Sequence, residues 1–282
     1  MRWQGRRGSV NVEDRRGQRL RRGAPIGCGG LLLVLLVGWL LGADPRQLLM
    51  LLSESGGGGS VSTEVSAPGG QPADQLGEFA SIVLADTEET WRSVFSGTGQ
   101  EYHEPRLVLF TDAAESACGF ASSAVGPFYC PADGKVYLDL SFFTELSERF
   151  GAPGDFAAAY VIAHEVGHHV QNLLGISDGV HQMQQRLSEG EANALSVRLE
   201  LQADCLAGVW GHFADRERQL IEPGDFEEGL AAAAAIGDDR LQRLTRGQVQ
   251  PESWTHGSSE QRVEWLRRGL ASGDPSSCKT FE

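Results

Sequence analysis

Nothing constrains this chain of 282 residues more than the pentapeptide His164-Glu165-Val166-Gly167-His168. The apolar residues around it, Tyr160 to Ala163 and Val170, predict a helix over 156–174. Pro153 suits its entry and Gly175 its end. On that helix the two histidines are four apart and share one face. Two imidazoles on one face can bind a single zinc, and Glu165 is then placed to take a proton from water and return it to a leaving amine.

A catalytic zinc needs a third protein ligand and an open position. The next long predicted helix, 188–216, carries Glu200-Leu201-Gln202-Ala203-Asp204. Glu200 and Asp204 are again four apart. Glu200 can supply the third bond, and Asp204 can accept the outer N–H of a ligating histidine, fixing its tautomer. Leu199, Leu201, Ala203, Leu206 and Ala207 surround the pair, so this helix reads as buried. Buried carboxylates need partners.

The net charge of −14 divides unevenly. Residues 1–22 carry eight arginines against Glu13 and Asp14, a balance of +6, which leaves −20 for the remainder. An acidic main domain disfavours nucleic acid as a partner. The basic stretch ends where 21 uncharged residues begin, Gly23 to Ala43. As a helix these rise about 31 Å, the thickness of a bilayer core. The expected topology is single-pass, with 1–22 a cytoplasmic basic segment, 23–43 a transmembrane helix in contact with lipid, and the C-terminal mass extracytoplasmic. A cleaved signal peptide is the competing reading; the long basic region and the lack of a small-x-small site argue against it. Residues 44–75 are rich in Gly, Ser, Pro and Ala and read as a linker. The folded domain is expected over 76–282.

Four cysteines fall in that domain: Cys118, Cys130, Cys205 and Cys278. An even count outside the cytoplasm favours two disulfides, for which three pairings exist. Cys118 with Cys130 is the local one and leaves Cys205 with Cys278; four buried thiols are the competing reading. Apolar spacing predicts a helix over 76–95. Strands are expected at 106–110 and 136–140, with one or two more between 118 and 130. Further helices are expected at 142–150, 226–244 and 259–269, the last opened by a cap at Ser258. Strands first and helices later make an α+β domain, a small sheet followed by a mostly helical half.

H-E-x-x-H followed by E-x-x-A-D resembles the gluzincin metallopeptidases. More specifically, the chain resembles the bacterial neutral zinc metallopeptidase family, the YpfJ-type proteins. The resemblance is carried by MRWQGRR at 1–7, NVEDRRG at 11–17, GPFYCPADGKVYLDLSFF at 126–143, AYVIAHEVGHHVQNLLGI at 159–176, RLELQADCLAGVW at 198–210 and THGSSEQR at 255–262. It implies an N-terminal anchor before a zincin-like domain that holds one Zn²⁺ per chain and acts on a peptide or protein substrate.

The site residues expected are therefore His164, His168 and Glu200 on the metal, Glu165 as general base and Asp204 behind a histidine. His256, in a Thr-His-Gly-Ser loop before a helix, is a candidate donor to the developing oxyanion. His169 lies about 100° round the helix from its neighbour His168 and reads as structural. Phe142, Phe143 and Trp210 read as core. Gln182–Arg186 reads as a loop near the site. Two functions compete: a membrane-anchored zinc metallopeptidase, and a non-catalytic zinc-stabilised adaptor whose fourth metal position is filled by protein.

Overall fold

The structure, a computed structural model, describes residues 1–17, 72, 74–123 and 126–282. Among them are β1 (Val12–Asp14), α1 (Gln75–Ser96), β2 (Arg106–Phe110), β3 (Ala113–Ser116), β4 (Gly119–Ser122), β5 (Phe128–Cys130) and β6 (Lys135–Asp139). The helical part follows with α2 (Ser141–Glu148), α3 (Asp155–Leu173), α4 (Ile176–Gln184), α5 (Glu189–Arg216), α6 (Asp225–Ala235), α7 (Asp238–Arg246) and α8 (Ser259–Ser272). The domain is α+β and mostly helical, as expected.

Four strands form a sheet in the order β1-β2-β6-β5, the first three parallel and β5 antiparallel at the edge. The apolar strands β2 and β6 are buried on both faces, and their two-residue period sorts the side chains. Leu107, Leu109, Val136 and Leu138 join the main core beneath the helices. Val108, Phe110 and Tyr137 form a second cluster with Ala114 and Cys130 on the opposite face. The β3–β4 hairpin lies on that side, tied to β5 by the Cys118–Cys130 disulfide. Cys205–Cys278 is the other bridge, and it fastens the C-terminal tail to α5.

Two expectations are corrected. Residues 226–244 are not one helix. The chain turns at Gly237, where a Cβ would stand 2.4 Å from the Ser259 backbone nitrogen, so only glycine permits the approach of α8. Nor is the N-terminal segment separate. Met1–Gly17 belongs to the same compact unit as the domain. β1 pairs in parallel with β2, and Trp3 packs edge-on to Phe79 of α1. The arginines read as topological signals have domain partners: Arg2 reaches Glu222, Arg6 donates to the Arg218 carbonyl, and Arg16 holds Asp14 and Asp74. The Met1 ammonium sits 2.9 Å from Asp155, at the start of α3. The span expected at 23–43 lies outside the described residues, as does nearly all of the linker 44–75. Among the described residues no helix is long and apolar enough to cross a membrane.

Candidate metal centre

Helix α3 is buried over almost its whole length, because Ala157 to Ala163, which pass right round the helix, and Val166 and Val170 all meet core. It crosses α5 at Gly167. A Cβ there would stand 3.0 Å from the Ala203 carbonyl oxygen and 3.2 Å from its Cα. The glycine inside the pentapeptide therefore lets the two backbones touch, and that contact brings His164 and His168 against Glu200 and Asp204. Gly167→Ala is expected to force the helices apart by a few tenths of an ångström, at a cost of about 1–3 kcal/mol in denaturant unfolding and with weaker zinc retention. Unchanged values of both would show that the crossing is not tight.

His164 Nε2 lies 3.2 Å from Glu200 Oε2, and His168 Nε2 lies 3.4 Å from Glu200 Oε1. One ligand atom from each of these three residues falls within 4.8 Å of the others. Zinc with bonds near 2.05 Å holds tetrahedral donors about 3.3 Å apart, close to both spacings, one to each Glu200 oxygen. The outer nitrogens are already engaged. His164 Nδ1–H donates to Asp204 Oδ1 at 2.8 Å, and His168 Nδ1–H donates to Gln171 Oε1 at 2.9 Å. Both imidazoles thereby present Nε2 to the same point, the arrangement that outer partners impose on metal-binding histidines.

Behind Asp204 stands a buried polar network absent from the sequence reading. Arg262 of α8 donates through Nε to Asp204 Oδ2 at 2.8 Å and through an Nη to Oδ1 at 2.9 Å. The Tyr160 hydroxyl donates to Oδ1 at 2.6 Å. Burial alone would raise the Asp204 pKa, but Arg262 and His164 outweigh it and hold the carboxyl down at about 2. Burial likewise opposes charge on Glu200, and the two histidines overcome it and hold its pKa well down. A second chain of amides backs His168: Gln171 Nε2 donates to Gln202 Oε1 at 3.1 Å, and Gln202 Nε2 donates to the Cys278 carbonyl at 2.9 Å. The disulfide-held tail thus supports a ring in the centre.

Glu165 is 8% exposed and lines the cleft beside both histidines. It makes no hydrogen bond or ion pair with any described residue. His256 lines the same cleft, half-exposed, with its loop drawn onto α7. Asp238 Oδ2 accepts the backbone N–H of Thr255, His256 and Gly257 at 2.7–3.0 Å, and Oδ1 lies 3.4 Å from the His256 ring. The Asp238 hydrogen bond raises the His256 pKa above its ordinary value. The charged ring therefore adds stability that is fully present below about pH 6.5 and is lost as pH rises through the elevated value. In metal-free protein an NMR titration is expected to place His256 above 6.5, and Asp238→Asn to return it there. A wild-type value at or below 6.5 would remove the ion pair.

The remaining candidates separate cleanly. His169 is buried between the Tyr102 and Tyr129 rings, its Nε2–H donating to the His103 carbonyl at 2.6 Å, away from the centre as expected. Trp210 is core, stacked on Phe156 and donating to Asp86. Phe143 packs on Phe79 in the core, whereas Phe142 also lines the cleft, against the expectation for it. Gln182 to Arg186 end α4 and its exit and do not line the cleft. A second acidic trio among the described residues, Asp155, Asp225 and Glu228, faces the Met1 ammonium, which supplies its counter-charge.

An α+β domain with two histidines from one helix and a glutamate from its neighbour at the foot of a cleft has the form of a zinc-hydrolase centre. The chain belongs to the family described as "Putative neutral zinc metallopeptidase", which it matches over residues 1–281. It is 50% identical to the uncharacterised protein YpfJ of Escherichia coli K12 across 295 aligned positions, covering the whole chain and 99% of that protein. It is 46% identical over 204 positions to the uncharacterised proteins Mb2605 of Mycobacterium bovis and Rv2575 of Mycobacterium tuberculosis, covering 69% of the chain and 67% of each. No solved structure matches it.

Proposed function

We propose that this protein is a zinc-dependent peptidase that hydrolyses peptide bonds in the cleft above His164, His168 and Glu200. The observation that carries the reading is Glu165, a buried carboxylate without a hydrogen bond or ion pair to any described residue, beside a two-histidine, one-glutamate cluster. A structural site has no use for such a group, and a fourth protein side chain that would close the cluster is not among the described residues, which weighs against the adaptor reading. Zinc held by the three residues would supply a Lewis acid that polarises the peptide carbonyl and acidifies water. Glu165 takes the proton of the attacking water and hands it to the leaving amine. His256, oriented by Asp238, donates to the developing oxyanion. Asp204, Arg262 and Tyr160 keep His164 in one tautomer.

The two disulfides support placing the domain in an oxidising compartment outside the cytoplasm, and β1 takes residues 1–17 with it. The test is zinc content of the full chain, purified without added metal, beside Glu200→Ala. One zinc per wild-type chain and less than a tenth of that in the variant is expected, with peptide hydrolysis tracking the metal. A folded wild-type protein without zinc would end the reading. The full chain is required because truncation at residue 76 removes β1 and the Arg16–Asp74 pair.

A further inference from the structure

Helix α7 has the sequence DDRLQRLTR. Its two apolar residues, Leu241 and Leu244, are three apart and so share a face. That face does not join the buried core. Both leucines line the cleft that contains His164, Glu165 and His168, and Leu244 is 64% exposed. The polar residues of α7 do the docking instead. Asp238 and Asp239 hold the loop before α8, and Gln242 holds the loop around Ser253. Arg240 donates to the Phe150 carbonyl at 3.0 Å, linking the helix to the α2 side of the cleft. On that side Phe142 and Phe150 stand with rings 6.5 Å apart. The charges there are already matched: Arg149 pairs with Glu145 at 3.3 Å and lies over the Phe150 ring. The cleft encloses about 690 Å³. Its outer part thus offers a large apolar surface, among the described residues an Arg149–Glu145 pair that matches its own charge, and direct continuity with the metal-binding cluster.

We propose that Leu241 and Leu244 on one wall, with Phe142 and Phe150 on the other, form the pocket that selects a large apolar side chain next to the scissile bond. The preferred substrates are peptides carrying Leu, Ile, Met or Phe at that position. The inference rests on the peptidase reading. An apolar side chain placed there covers apolar surface the fold leaves exposed, a gain that a charged one does not make.

The experiment is cleavage of a peptide library, randomised on both sides of a central bond, by the zinc-loaded full chain, with products sequenced by mass spectrometry. At one position adjacent to the cut, large apolar residues are expected to exceed Asp, Glu, Lys and Gly at least tenfold. Leu244→Arg is expected to lower kcat/KM for a preferred apolar peptide about 10–100-fold, to move preference towards Asp and Glu at that position alone, and to keep its zinc. Because Leu244 is exposed, this variant folds; Leu241→Ala serves as a second, with a smaller loss carried by KM. Cleavage without apolar preference, or a Leu244→Arg profile identical to wild type, overturns the pocket and leaves the peptidase reading standing. Failure of a zinc-replete chain to cleave any peptide overturns both.

Discussion

Glu165→Gln is expected to retain one zinc per chain and to lose hydrolysis by about 10³–10⁴-fold. The substitution keeps the size of the side chain and removes its ability to accept a proton. Glu165 is not in the described cluster that could hold a metal ion, His164, His168 and Glu200. It lacks an ion pair with any described residue, so the fold loses little when its charge goes. The comparison with Glu200→Ala is what gives the result meaning. One variant separates activity from metal, and the other removes both. Metal analysis beside a peptide assay on the two proteins checks it. A Glu165→Gln protein that cleaved at the wild-type rate would show that water is activated without this carboxylate.

Asp204→Ala is expected to be the most damaging single change in the domain. Asp204 has no exposed surface and accepts hydrogen bonds from Tyr160, His164 and Arg262. Its removal strands the Arg262 guanidinium, 2% exposed, without its counter-ion. Breaking a buried pair in this way costs about 3–5 kcal/mol. His164 also loses the acceptor that fixes its tautomer, which costs about 10–100-fold in metal affinity. Urea unfolding and zinc competition against a chelating dye measure the two effects. The double variant Asp204→Ala, Arg262→Met removes both charges and is expected to recover part of the stability but not the zinc affinity, since no acceptor returns to His164. Equal recovery of both would mean that Asp204 acts through packing alone.

The centre was legible in sequence where helical spacing alone places side chains. His164 with His168 and Glu200 with Asp204 are pairs four apart, and a helix puts such pairs on one face whatever surrounds it. Arg262 escaped because it lies 58 residues from Asp204 and reads as one more arginine on a charged helix. Leu241 and Leu244 escaped for the opposite reason. Two leucines three apart in a helix look like core, and only packing reveals that they face a cleft. β1 was missed since three residues, Val-Glu-Asp, carry no strand pattern of their own. The eight N-terminal arginines suggested topology because charge bias is readable without a fold, while the partners that several of them meet, Glu222 and Asp74 among them, are not.

By itself, then, the sequence determined the residue types of the centre, the helices that carry them and the order of sheet and helices. These depend on local period and on side-chain chemistry. The tertiary structure decided which charges neutralise one another, which apolar face stays open, and that residues 1–17 pack into the same unit as the domain. Each of those depends on contacts between segments tens to hundreds of residues apart. Such contacts are set by close backbone approaches, Gly167 to Ala203 and Gly237 to Ser259, that no local pattern encodes.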